Sequence, residues 1–213
     1  MLMRTGRSQR QPLHRPGPTT PSRPPTRHLA WMALRLLTLL LIASSPAAAQ
    51  DLTRAQRLEA LTDQFGMPFS AASLAGRPYA LFFGFTHCPD ICPTTLLQMS
   101  NLLLHLGADA DRVAVLFVTV DPERDTPDQL RSYLTSFDPR IRGLTGTPAQ
   151  IRAVAAAWKA AYDRIDEGNG TYTIAHSAHV YLMDRSGEQQ DTINFQEDEV
   201  AQLTKLRRLL TSP

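Results

Sequence analysis

From residue 50 onward, unbroken apolar runs alternate with stretches whose apolar residues recur at helical spacing. Tyr79 to Phe85 and the Val-rich Val113 to Val120 are continuous apolar runs. Such runs read as strands covered on both faces, the habit of a parallel sheet. Between them, Leu96, Leu97, Leu103, Leu104 and Leu106 predict a helix from Pro93 to about Leu106, stopped by Gly107. Proline is favoured at a first helical position and glycine just past a helix end, which sets both limits. Asp51 to Gln64 reads as an amphipathic approach segment, followed by turns at 63–66 and 75–78. A helix from Pro127 to Phe137 directs Leu130, Tyr133, Leu134 and Phe137 to one face. A second opens at Thr147-Pro148 with Ile151, Val154, Ala155 and Trp158 inward. Gly143-Leu144-Thr145-Gly146 has length only for an edge segment, and Gly168-Asn169-Gly170 reads as a loop. Ala178 to Met183 and Asp191 to Phe195 form a hairpin across the turn Asp184–Gly187, and Asp198 to Leu210 is the closing helix. Strand, helix, strand, helix, hairpin, helix is an α/β domain with a mixed central sheet. In an open α/β sheet the site lies at the strand carboxyl ends, where Cys88 and the Asp121–Asp125 loop both fall.

The first fifty residues differ. Residues 1–28 hold six arginines, six prolines and no acid. An apolar run from Leu29, cut by Arg35, leads to Ser44-Ser45-Pro46-Ala47-Ala48-Ala49-Gln50. A basic region, a short apolar core and an Ala-x-Ala site together describe a secretory signal, cleaved after Ala49. The competing reading is an uncleaved anchor over 29–49; Arg35 and Pro46 leave it short of the ~20 apolar residues a spanning helix needs. No cysteine stands near the cleavage site for a lipid anchor, and no adjacent arginine pair marks a twin-arginine signal. The expected division is therefore a leader over 1–49 and one domain over 50–213, exported to the periplasm or held at the inner membrane by the leader. Seven of the 22 basic residues and none of the 20 acids lie in 1–49, so the domain keeps 15 basic and 20 acidic residues, a formal −5. That balance, with no basic run, excludes a nucleic-acid footprint.

Both cysteines of the chain, Cys88 and Cys92, fall in one stretch at the end of the first strand. With a helix starting beside Cys92, unpaired N–H groups and the positive dipole end favour a thiolate there. A lowered thiol pKa makes a better nucleophile and a better metal ligand. A structural disulfide is the plain alternative in an oxidising compartment, but so short a loop gains little from closure. The choice is between disulfide chemistry and soft-metal binding. Thiolates select Cu(I), and an imidazole would extend the set toward Cu(II). A structural zinc site normally takes four protein ligands, and with no third cysteine it would have to be completed by His or Asp.

The stretch Phe83-Gly84-Phe85-Thr86-His87-Cys88-Pro89-Asp90-Ile91-Cys92-Pro93 resembles the signature of the Sco (SenC) copper-binding proteins that assist cytochrome c oxidase assembly. The resemblance continues through Val120-Asp121-Pro122-Glu123-Arg124-Asp125-Thr126, Gly143-Leu144-Thr145-Gly146-Thr147, Tyr172-Thr173-Ile174-Ala175-His176-Ser177 and Tyr181-Leu182-Met183-Asp184. It implies a thioredoxin-like fold, and two cysteines and a distant histidine as copper ligands, matching Cys88, Cys92 and His176. It also implies a copper-accepting oxidase subunit, or another periplasmic copper protein, as partner, with a thiol reductant to keep the pair reduced.

The residues themselves leave alternatives. His87 and Cys88 are adjacent and would point to opposite faces of an extended chain, as would His176 and His179 on one strand. At most one of the latter two faces a metal; periodicity allows either, and the resemblance selects His176. His105 reads as a helix-packing or surface residue, and Met99 and Met183 as core. Asp90 suits a helix start or a charge that tunes the thiols. Asp121, Arg124 and Asp125 suit a salt-bridged loop in which Asp125 or Thr126 caps the next helix, combined with a loop beside the site that orients the ligands or docks a partner. Three functions compete: copper delivery, which needs no catalytic residue; thiol–disulfide exchange, with Cys88 and Cys92 reacting; and peroxide reduction. Ordinary thioredoxin-like reductants use C-x-x-C and a late cis-proline. Here three residues separate the cysteines and no proline lies between Pro148 and Pro213. No arrangement of Thr and Arg around a single cysteine suggests a peroxidase.

Overall fold

The computed structural model describes residues 53–74 and 76–212; the leader predicted over 1–49 lies outside them. Helix α1 (Arg54–Leu58) leads into the two-residue strand β1 (Thr62–Asp63). The order continues with β2 (Tyr79–Gly84), α2 (Ile91–Leu106), β3 (Ala114–Thr119), α3 (Pro127–Leu134), β4 (Ile141–Thr145) and α4 (Pro148–Ala157). Then come β5 (Tyr162–Gly168), β6 (Thr171–His176), β7 (His179–Met183), β8 (Gln189–Asn194) and α5 (Glu199–Thr211). Six strands form one mixed sheet in the order β1-β4-β3-β2-β7-β8, and β5 and β6 form a separate pair. β2, β3 and β4 run parallel; β1, β7 and β8 are antiparallel to their neighbours. The α/β class and the mixed sheet are those expected.

Every residue of β2 is buried, as its unbroken apolar run requires. Successive side chains take opposite faces. Phe82 meets the Phe117 ring, 5.8 Å away, and Phe83 meets Trp158 at 6.1 Å. α2 packs against α5, α1 against α4, and α3 along β4. No helix among the described residues is long and apolar enough to cross a membrane.

Two expectations are corrected, the first and third below, and two are completed. First, α2 opens at Ile91, so Pro93 is its third residue and not its first. The earliest intrahelical bond runs from Thr94 N–H to Asp90 C=O, 3.2 Å, so proline at 93 forfeits no helical bond. Second, α2 buries Leu96, Met99, Leu102, Leu103 and Leu106, while Leu97 and Leu104 face outward at 54% and 71% exposure. The helix carries more leucines than one buried stripe can hold. Third, Gly143–Thr145 belongs to an interior strand. β4 pairs with β3 from Ile141 to Leu144 on one side and with β1 on the other. Gly143 lies under α3, where a Cβ would come within 2.7 Å of the Leu134 side chain. Fourth, the loop expected at Gly168-Asn169-Gly170 is the turn of the β5–β6 hairpin. All three turn residues hold positive φ, which glycine and asparagine tolerate best.

Candidate metal centre

The site forms where β2 ends. A helix must follow within seven residues of Gly84, and the intervening loop carries Cys88 while the first turn of α2 carries Cys92. The Cys92 N–H is one of the helix's orphan donors and points at Cys88 Sγ, 3.4 Å away. Cys92 is fully buried, and Cys88 is half-exposed; both are free thiols. Gly84 makes room for them. A Cβ there would lie 2.7 Å from the Phe117 ring and 2.9 Å from Cys92 Sγ.

His176 arrives from the last position of β6. Its Nε2 lies 3.3 Å from Cys92 Sγ, and its Nδ1 lies 3.0 Å from the Ser177 carbonyl oxygen. A carbonyl only accepts, so Nδ1 carries the proton and Nε2 turns a lone pair to the sulfurs. The ring packs edge-on to Phe85 at 5.8 Å and near Phe82 at 6.0 Å, which fixes its plane. The ligand atoms of Cys88, Cys92 and His176 all lie within 4.8 Å of one another. Hydrogen bonding from Cys92 lowers the Cys88 thiol to about 4 against the opposing cost of burial, with further help from the backbone N–H groups of residues 90 and 92. The same bond, and then burial, push Cys92 up. The apo pair is thus one accessible thiolate and one buried thiol.

Two networks hold the parts together. Asp125, fully buried, accepts from Thr86 N–H (2.9 Å), Thr86 Oγ1 (2.6 Å) and Thr119 Oγ1 (2.6 Å). It ties the loop before Cys88 to the end of β3. Asp121 accepts from Arg124 Nε and from the Tyr172 hydroxyl, the latter at 2.8 Å. Arg124 also donates to the Tyr172 carbonyl (3.0 Å) and stacks on its ring (3.7 Å). Tyr172 is on β6, so this grip positions the strand that ends in His176. The helix-capping role falls to Thr126, which accepts from Gln129 N–H at 3.2 Å, and not to Asp125.

The other candidates separate cleanly. His87 is exposed, with Nδ1 3.1 Å from Thr86 Oγ1 and 3.8 Å from an Asp125 oxygen. His87, Asp121 and Asp125 also cluster within 4.8 Å. Those carboxylates are already bonded to Thr86, Thr119, Arg124 and Tyr172, which leaves the cluster as a brace. His176 and His179 are on different strands, and His179 is exposed. His105 pairs with Glu199 at 2.8 Å on the surface, and Met99 and Met183 are core. Asp90 precedes α2 without bonding its N–H groups through the side chain. Gly84, Thr86, Thr119 and Tyr172 received no role from the sequence. A glycine inside an apolar strand was the one available signal, since it often marks a close approach.

A family model described as SCO1/SenC matches residues 50–211. The mitochondrial protein SCO2 of Saccharomyces cerevisiae is 40% identical over 151 residues, which are 69% of this chain and 50% of that protein. The chain therefore spans about half the length of that curated relative. The structure of Bradyrhizobium japonicum ScoI with copper bound is similar at 43% identity and a TM-score of 0.65, covering 70% of this chain and 95% of that one. Yeast Sco1 with copper bound gives 33% identity and a TM-score of 0.66, covering 72% of this chain and 86% of that one. With a thioredoxin-like fold and a family match across nearly the whole described domain, the chain belongs to the SCO1/SenC family.

Proposed function

We propose that the protein is a copper chaperone that binds Cu(I) and Cu(II) as cargo through Cys88, Cys92 and His176. One observation carries this reading: two sulfurs and an imidazole nitrogen converge within 4.8 Å, one from a loop, one from a helix start and one from a remote hairpin. Two soft sulfurs favour Cu(I), and the nitrogen extends the set to Cu(II). Three protein donors leave room for an incoming ligand, so the ion can be passed on. The acceptor in this reading is the binuclear copper centre of a cytochrome c oxidase subunit. The domain works in the periplasm, exported by the leader over 1–49 or held by it at the inner membrane.

The test is separate Cu(I) and Cu(II) titrations of the reduced chain. One tight equivalent is expected, lost in Cys88→Ala and Cys92→Ala, and weakened far more by His176→Ala than by His179→Ala. Comparable losses in the two histidine variants would sink the ligand assignment. A second reading has its own support: a half-exposed Cys88 held as thiolate beside a buried Cys92 thiol also suits disulfide exchange. There the Cys88 thiolate attacks a partner disulfide and expels one partner sulfur as a thiolate, which takes up the Cys92 proton; Cys92 Sγ then attacks Cys88 Sγ and expels the second partner sulfur, leaving Cys88–Cys92 oxidised and the partner dithiol reduced. Reduction of an acceptor disulfide without specific copper binding would favour it.

A further inference from the structure

We infer that the free edge of β6 is the docking edge for an extended segment of the copper acceptor, which joins β6 as an added strand. This deepens the copper reading and rests on it. Among the described residues β6 pairs with β5 alone. The bond from Ser177 N–H to Ala161 C=O, 2.9 Å, sets the phase of that ladder, one step beyond the pair Tyr162 and His176. In an antiparallel ladder bonded and non-bonded pairs alternate. Ala175 and Thr173 therefore turn their backbone groups to β5. Tyr172, Ile174 and His176 turn theirs to the opposite edge. The Arg124 donation to the Tyr172 carbonyl falls on that opposite edge, as this phase requires.

Past Tyr172 the edge opens. Ile174 and His176 border a groove of about 300 Å³ whose far wall is Phe85, Cys88, Pro89, Asp90 and Ile91. Among the described residues no second strand pairs with β6. An unpaired edge beside a groove is a template for an added strand, with backbone bonds giving affinity and alternate side chains giving specificity. The occupant follows from the chemistry. Cys92 is buried, so an acceptor reaches the ligand set from the side that Cys88 and His176 both line. To take copper from two sulfurs it must itself bring soft donors, Cys or Met. Asp90 is exposed on the wall with no ion pair among the described residues, and Cu(I) held by two thiolates leaves a net negative charge. The complementary segment is therefore extended, carries a soft donor and is flanked by a basic residue.

The test uses the full chain and a ten-residue peptide of alternating Thr and Val with one Cys and one flanking Lys. A Ser version of the peptide is added to the reduced apo chain, and amide hydrogen exchange is followed residue by residue. Protection is expected at the Ile174 and His176 amides. A twin peptide, N-methylated on the residues that would face β6, should bind about tenfold more weakly, because it loses backbone bonds and no side chain. Replacing its Lys by Glu should also weaken binding. Equal binding of both twins, or protection confined to β1 or β8, overturns the inference. Copper is titrated separately, without peptide. Copper binding with no protection at β6 overturns the docking edge alone, whereas protection in a chain that binds no copper supports the edge and overturns the copper reading.

Discussion

Replacing Asp125 by alanine tests whether the metal centre depends on a brace that touches no ligand. The carboxylate accepts three hydrogen bonds, from Thr86 N–H, Thr86 Oγ1 and Thr119 Oγ1. Bonds to a charged group contribute about 1.5–3 kcal/mol each, and a buried donor left alone costs about 1–3 kcal/mol. Thr119 is fully buried, so its hydroxyl proton loses its acceptor outright. The two Thr86 donors are only part-buried, and water recovers much of theirs. The total comes to about 3–5 kcal/mol, a large share of the roughly 5–15 kcal/mol that holds a domain folded. Urea denaturation followed by tryptophan fluorescence measures it. Because Thr86 precedes Cys88 by two residues, the variant should also bind Cu(I) at least about tenfold more weakly while still folded, since loosening supporting groups typically costs 10–100-fold. A loss below about 1 kcal/mol with copper affinity unchanged would refute the reasoning, and would mean that the loop is held by its own turn.

The remaining predictions concern the thiols, the glycine and the hairpin. With its pKa lowered to about 4 from the 9.0 of an ordinary thiol, Cys88 stays a thiolate above that value and is protonated only below it. Alkylation of the reduced apo chain by iodoacetamide should therefore hold a flat rate from about pH 8 to about pH 5 at Cys88, with Cys92 unreacted; a tenfold fall per pH unit across that window would show an ordinary thiol. Gly84→Ala should destabilise the domain by about 1–3 kcal/mol in the same denaturation, since its Cβ overlaps Phe117 and Cys92; an unchanged midpoint would mean that the sheet and α2 separate freely. Tyr172→Phe removes the hydroxyl bond to Asp121 and should cost about 1 kcal/mol, with faster loss of bound copper to a chelator. Copper release at the parent rate would detach β6 positioning from the site.

The parts of this fold that were legible in the sequence are those whose burial leaves a pattern. β2 and β3 lie inside the sheet and read as unbroken apolar runs; α3 and α4 have a dry side and read as periodic. β4 was harder, because Arg142 and Gly143 interrupt it and its second partner, β1, is only two residues long. β5 was not legible at all. Its sequence, Tyr-Asp-Arg-Ile-Asp-Glu-Gly, is almost wholly exposed, so neither face selects apolar residues. The site divides along the same line. Two cysteines four residues apart at a strand-to-helix junction announce themselves. His176 does not, since nothing local distinguishes it from His179; the resemblance to the Sco family selected it, and the hairpin brings it to Cys92.

What joins these parts is the parallel sheet. Parallel β2 and β3 end side by side, with Gly84 level with Thr119. Thr86 and Asp125, 39 positions apart in sequence, become hydrogen-bond partners there. The Asp121–Asp125 loop then faces two ways. Asp125 holds the cysteine loop, and Asp121 with Arg124 holds Tyr172 on β6. One five-residue loop thus sets the distance between the sulfurs and the imidazole, although none of its residues reaches either. Strain introduced at this loop should be felt by all three ligands together, whereas a change in the outer turn at Gly168–Gly170 moves only the far end of the hairpin. The uneven exposure of the thiols follows from the same arrangement: Cys92 is sealed between α2 and the sheet at Gly84, and Cys88 is left on the open side where β6 has a free edge.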